Sequence, residues 1–115
     1  MFLRIVAALL LSAVSSALAE VPNKDIWYFS TGNDLLRICE SELMPDIAYC
    51  QGYIVGIGEA LQLTAAVSIC LPARTAERQL RDIVVAKLKE RPDTRHLPTL
   101  AIISSVLEES FPCND

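Results

Sequence analysis

The sequence predicts an all-α fold, a small disulfide-stapled bundle of about four helices. Three observations predict it. Apolar residues recur at helical spacing in four successive stretches, and those stretches are bounded by prolines or by side chains suited to helix caps. Four cysteines, Cys39, Cys50, Cys70 and Cys113, then stand in a chain that opens like an exported one.

Met1 to Ala19 reads as a cleavable signal peptide. It has a basic start (Arg4), an apolar run from Ile5 to Leu11, and the small-residue end Ala17-Leu18-Ala19. The run is shorter than the roughly 18 residues a retained membrane-spanning helix needs, and no later charge-free segment reaches that length. The expected mature chain is therefore an exported, soluble domain of residues 20–115, with no stable membrane insertion. Without Arg4 it carries nine basic and fourteen acidic side chains, a formal net charge of −5. That acidic balance excludes a nucleic-acid surface, which requires clustered Lys and Arg to displace phosphate counterions. A single domain of this size buries about 60–65% of its unfolded surface, so covalent staples add substantially to its stability.

Residues 20–30 carry Pro22 and the aromatic cluster Trp27-Tyr28-Phe29, and read as an ordered lead-in packed by its aromatics. Helix 1 is expected over about residues 33–43. Ser30, Thr31, Asn33 and Asp34 supply capping groups, Leu35, Leu36, Ile38, Cys39 and Leu43 form the apolar face, and Pro45 closes the segment. Helix 2 is expected from Pro45 to Val67, with Asp46 at its positive end and Ile47, Cys50, Ile54, Ile57 and Leu61 on one stripe. Gly52, Gly56 and Ala60 lie four apart on a second strip, which predicts close helix packing in a soluble core; Gln51, Glu59 and Gln62 argue against lipid.

After "SICLPART", Thr75 is expected to cap helix 3. This helix runs to about Glu90 through Leu80, Ile83, Val84, Val85 and Leu88, with Glu77/Arg81 and Arg78/Asp82 paired on its wet face. "RPDTRHLP" is a connector framed by two prolines. Helix 4 runs from about Pro98 to Ser110, with Leu100, Ile103, Val106 and Leu107 inward, and "FPCND" ends the chain.

A hairpin turning near Met44 and Pro45 sets positions equidistant from the turn side by side. That pairs Cys39 with Cys50 and leaves Cys70 with Cys113. The pairs read as staples. A redox site calls for C-x-x-C, and a zinc site calls for closely spaced ligands, whereas the only histidine is His96.

Catalytic chemistry finds little support. His96 sits in a polar loop, no G-x-S-x-G elbow is present, and the carboxylates Glu40, Glu42, Asp46, Glu108 and Glu109 fall on expected wet faces. Glu59, among apolar residues of helix 2, is the one acid that stands out. The charge is uneven, with residues 74–96 at +3 and the rest of the mature chain at −8, so helix 3 and the connector form a candidate basic contact surface.

The segments "GNDLLRICES", "YCQGYIVGIGEAL", "ICLP" and "FPC" together resemble the Rap/Tai immunity-protein family over about residues 31–113. The resemblance implies a helical fold, a periplasmic location, frequent homodimers, no cofactor, and inhibition of a type VI secretion peptidoglycan amidase by occlusion of its active-site cleft. The matching residues Gly32, Leu35, Leu36, Cys39, Cys50, Gly52, Tyr53, Gly56, Cys70, Pro72, Pro112 and Cys113 are mostly scaffold, so the target contact falls elsewhere. The polar, proline-framed segment from Lys89 to Leu97 is the candidate, with Arg91, Asp93, Arg95 and His96 as its contact residues. A periplasmic helical chaperone or envelope-assembly factor is the alternative, and a small hydrolase using His96 the remote one.

Overall fold

The computed structural model describes residues 30–114. The expected signal peptide, and residues 20–29 of the expected aromatic lead-in, lie outside them. The described chain is all-α: α1 (Gly32–Cys39), α2 (Met44–Gln62), α3 (Glu77–Glu90), a 3-10 turn at Pro92–Thr94, and α4 (Thr99–Ser110). Among these residues the only β pairing is an isolated antiparallel bridge between Thr31 and Pro98.

Each helix contributes its apolar stripe to one core. Leu35 of α1, Ile54 of α2, Val84 and Leu88 of α3, and Ile103 and Leu107 of α4 are all fully buried. Burial of each such side chain stabilises the fold by about 1.5–3 kcal/mol. Gly58 is buried where α2 meets α4 and the loop that follows α2. A methyl group there would stand 3.4 Å from Leu107 Cδ1 and 3.5 Å from Leu71 Cδ1.

Two disulfides fasten this core. Cys39–Cys50 ties the last residue of α1 to α2 at a Cα separation of 5.1 Å, and Cys70–Cys113 ties the loop after α2 to the tail after α4 at 5.0 Å. The Cys70 N–H also donates to the Phe111 carbonyl at 2.8 Å. The hairpin geometry expected from the cysteine spacing is the geometry found.

Several helix limits and faces differ from expectation. α1 stops at Cys39, because residues 40–43 are needed to reverse the chain before Pro45; Leu43 is left 67% exposed. α2 stops at Gln62 rather than Val67, its last turn tightened by Leu63 and Thr64 N–H groups that donate three residues back. The chain beyond must travel to Cys70, and the Gln62 side-chain oxygen receives the Leu71 N–H at 3.2 Å on the way.

Thr75 does not cap α3. Its hydroxyl donates to the Pro72 carbonyl at 2.8 Å within a turn, and Ala76 takes the cap position with no side-chain bond. Leu100 is 52% exposed and Ile102 is buried in its place, because α4 is rotated to set Ile102 and Ile103 inward together. On α3, Arg81 pairs with its neighbour Asp82 at 2.9 Å instead of with Glu77. The strip of Gly52, Gly56 and Ala60 faces solvent, and a methyl group at either glycine would meet nothing within 4 Å. The expected tight packing along that strip is absent among the described residues; α2 turns the opposite face, with Cys50, Ile54 and Gly58, toward the core.

Candidate functional site

The connector between α3 and α4 is held by the start of α1. A helix begins with N–H groups that have no partner inside it, and here the connector supplies the acceptors. The Gly32 N–H donates to the Leu97 carbonyl at 3.1 Å and the Asn33 N–H to the Arg95 carbonyl at 2.9 Å. The Thr99 N–H and hydroxyl both donate to the Ser30 carbonyl at 2.9 Å, and the Ser30 and Thr99 hydroxyls are bonded at 2.7 Å. Residues 95–99 are thereby clamped between α1 and α4.

The same end of α1 carries a reciprocal cap. Asp34 accepts the Thr31 N–H and hydroxyl, each at 3.0 Å, while the Thr31 hydroxyl oxygen accepts the Asp34 N–H at 3.4 Å. The bond from the Thr31 backbone, then that from its hydroxyl, hold the Asp34 carboxyl below its ordinary pKa of 3.8, and Arg37 adds to this.

From this frame the connector projects. Arg91 leaves the helical conformation, Pro92–Thr94 form a 3-10 turn, and the Leu97 N–H returns to the Thr94 carbonyl at 3.1 Å. The four residues expected to act together do different things. Asp93 and His96 are exposed. Arg91 is engaged by Glu109 of α4, at 3.2 and 3.3 Å from its two carboxylate oxygens. Arg95 is partly buried, and its Nε is enclosed without a hydrogen-bond partner among the described residues.

Beside the connector lies a groove of about 90 Å³ between α3 and α4. Leu88, Ile102 and Val106 line it together with the more open Leu97 and Ala101, and Lys87 and Arg91 stand at its edge. Both cations reach Glu109, Lys87 at 3.5 Å and Arg91 at 3.2 Å. Sequence reasoning placed Arg91 among the contact residues and Lys87 within the basic surface of residues 74–96, but left Glu109 as a wet-face carboxylate. Lys87 and Arg91 do share a helical i,i+4 spacing, but their common partner comes from α4, 18 and 22 residues away. Lys89 likewise turns to Glu40, just past the end of α1, at 3.0 Å.

Tyr49 and Tyr53 form a stacked pair on α2, ring centroids 5.6 Å apart and planes 16° from parallel. Burial first, and Tyr53 second, raise the Tyr49 phenol above its ordinary pKa of 10.0. Glu59 is exposed. All four cysteines are bridged, and no cluster of three or more His, Cys, Asp or Glu suited to a metal occurs among the described residues. No helix among them is long and apolar enough to cross a membrane.

Fold and site together define a small all-α, doubly stapled protein with an apolar-floored groove flanked by charged side chains between α3 and α4. The two disulfides suit an exported chain. The chain belongs to the family of Rap1a immunity proteins, whose family model matches residues 31–113. Membership implies that it binds a cognate toxin, an effector of type VI secretion. No curated protein matches the chain.

Proposed function

We propose that the chain is a periplasmic immunity protein that binds a peptidoglycan amidase delivered by type VI secretion and occludes its active-site cleft. In this reading residues 1–19 are the export signal and residues 20–115 the mature protein, which acts by steric plugging and needs no cofactor. The observation that carries it, beyond family membership, is the clamped connector. A projecting segment whose backbone is already fixed gives up little conformational freedom when it enters a cleft. Asp93 and His96 stand exposed on it to meet the toxin, while Arg91 is engaged by Glu109 and the Arg95 carbonyl by the Asn33 N–H.

The test is a protection and binding assay with the oxidised mature chain. Asp93→Arg with His96→Glu should weaken toxin binding at least about tenfold, some 1.4 kcal/mol, without altering the helical spectrum. Adding substitutions at Arg91 and Arg95 should abolish protection. Full protection by the fourfold variant, with folding verified, removes Lys89–Leu97 as the contact.

A second reading, a periplasmic helical chaperone or envelope-assembly factor, is favoured by the exposed apolar residues of α2 and its flanks: Met44 at 73%, Leu43 at 67% and Leu63 at 90%. Suppression of client aggregation, with no protection against any amidase effector, would select it. The family resemblance also implies paired chains, for which this same face of α2 is available.

A further inference from the structure

The groove between α3 and α4 has an apolar floor, and the described chain begins against it. Gly32 meets two of the residues that line it: its N–H donates to the Leu97 carbonyl, and Ile102 Cδ1 stands where a Gly32 methyl would be. Just before it, Ser30 is bonded through its carbonyl and hydroxyl to Thr99, the first residue of the helix that forms one wall. The Thr31–Pro98 bridge is antiparallel. Followed back from Thr31 to Ser30, the backbone therefore runs the same way as from Pro98 to Thr99, toward α4.

The residues that immediately precede Ser30 are the aromatic run Trp27-Tyr28-Phe29. Trp27 is three residues from Ser30, a reach of about 10 Å. Ile102 and Val106 lie about 4.5 and 10.5 Å beyond Thr99 along the helix axis, so the groove falls within that reach.

The shape and rim of the groove match one large aromatic side chain. A volume of about 90 Å³ has no room for a helix, roughly 10 Å across with its side chains. Leu97 on the rim is 39% exposed, and a tryptophan has about 150–250 Å² of its own to bury. Arg91 completes the seat. Its N–H groups lie in the guanidinium plane, so the bonds to Glu109 occupy an edge and leave the faces for an aromatic ring.

We infer that the chain's own Trp27 seats in the α3–α4 groove, with its indole on Leu97, Ile102 and Val106 and against the Arg91 guanidinium. The lead-in thereby braces the connector at Arg91 and Leu97, and the groove is closed to other ligands. The inference stands on the groove and the lead-in, whatever toxin the connector meets.

Trp27 is the chain's one tryptophan, so its fluorescence reports on this seat alone. In the oxidised mature chain its emission should be blue-shifted, and its quenching by acrylamide several-fold weaker, relative to the same chain in urea. Neither should change over a dilution series. Ala101→Arg and Ser105→Arg, at two exposed positions that line the groove, should each restore strong quenching while the helical spectrum is kept. Quenching as strong in the native chain as in urea overturns the inference and leaves the groove to a foreign partner. Protection that fades on dilution overturns it in favour of a second copy. Protection that both substitutions leave intact, with folding verified, places Trp27 elsewhere and overturns it as well.

Discussion

At Gly32 the first turn of α1 passes so close to the connector that a methyl group would collide with Ile102 Cδ1 and stand 3.0 Å from the Arg95 carbonyl oxygen. The backbone cannot yield there, because that same carbonyl accepts the Asn33 N–H. Gly32→Ala should therefore destabilise the fold by about 1–3 kcal/mol in urea denaturation, and should weaken toxin binding by shifting the connector although Gly32 is itself buried. Asp34 acts two residues on. Its carboxyl is held below 3.8 in the folded chain, so the stability it adds is present above that pH and is lost as pH falls through the lower folded value. Asp34→Asn should lower stability at neutral pH and flatten the loss seen on acidification below about pH 4, measured as denaturation midpoints across pH. The capping residues around Thr31 and Asp34 were readable from "STGND", since their geometry is local. The clamp at Gly32 was not, because its partners lie more than sixty residues away in the chain.

For α2, spacing alone revealed two stripes, and both are present. Which stripe meets the core depends on where α3 and α4 lie, so the Cys50–Ile54–Gly58 side is buried and the Gly52–Gly56–Ala60 side is open. Ile54→Ala should cost about 2–5 kcal/mol, whereas Leu63→Ser should change monomer stability by no more than about 0.5 kcal/mol; thermal unfolding at high dilution separates the two. α4 shows a similar limit. Adjacent apolar residues at 100, 102 and 103 leave its rotation undecided by sequence, and packing against α1 and α3 selects Ile102 over Leu100. In the candidate site, Arg91, Asp93, Arg95 and His96 were legible as a polar, proline-framed segment. That Glu109 would engage Arg91, and that Arg95 would fold inward, followed only from the docking of α4.

Across the whole molecule, the staples are spread so that every helix but α3 is anchored at an end or along its length. In the chain-entropy view the bridge closing 11 residues adds about 3 kcal/mol and the one closing 43 about 4 kcal/mol. Those are large fractions of the ~5–15 kcal/mol typical of a small domain. Cys70→Ala with Cys113→Ala should accordingly bring the midpoint down sharply while leaving the Cys39–Cys50 hairpin closed, as mass shifts after thiol alkylation would show.

The order of the bridges has a consequence for how the chain matures. Each cysteine is joined to the next one along the chain, the first to the second and the third to the fourth. A polypeptide that is oxidised in the order its thiols emerge from the export channel forms native pairs and no others. Its maturation calls for an oxidase, with no isomerase to undo wrong pairings. Chain exported from cells that lack an isomerase should carry the two native bridges as fully as chain exported from cells that have one, whereas full-length reduced chain, with all four thiols present at once, has three pairings open to it.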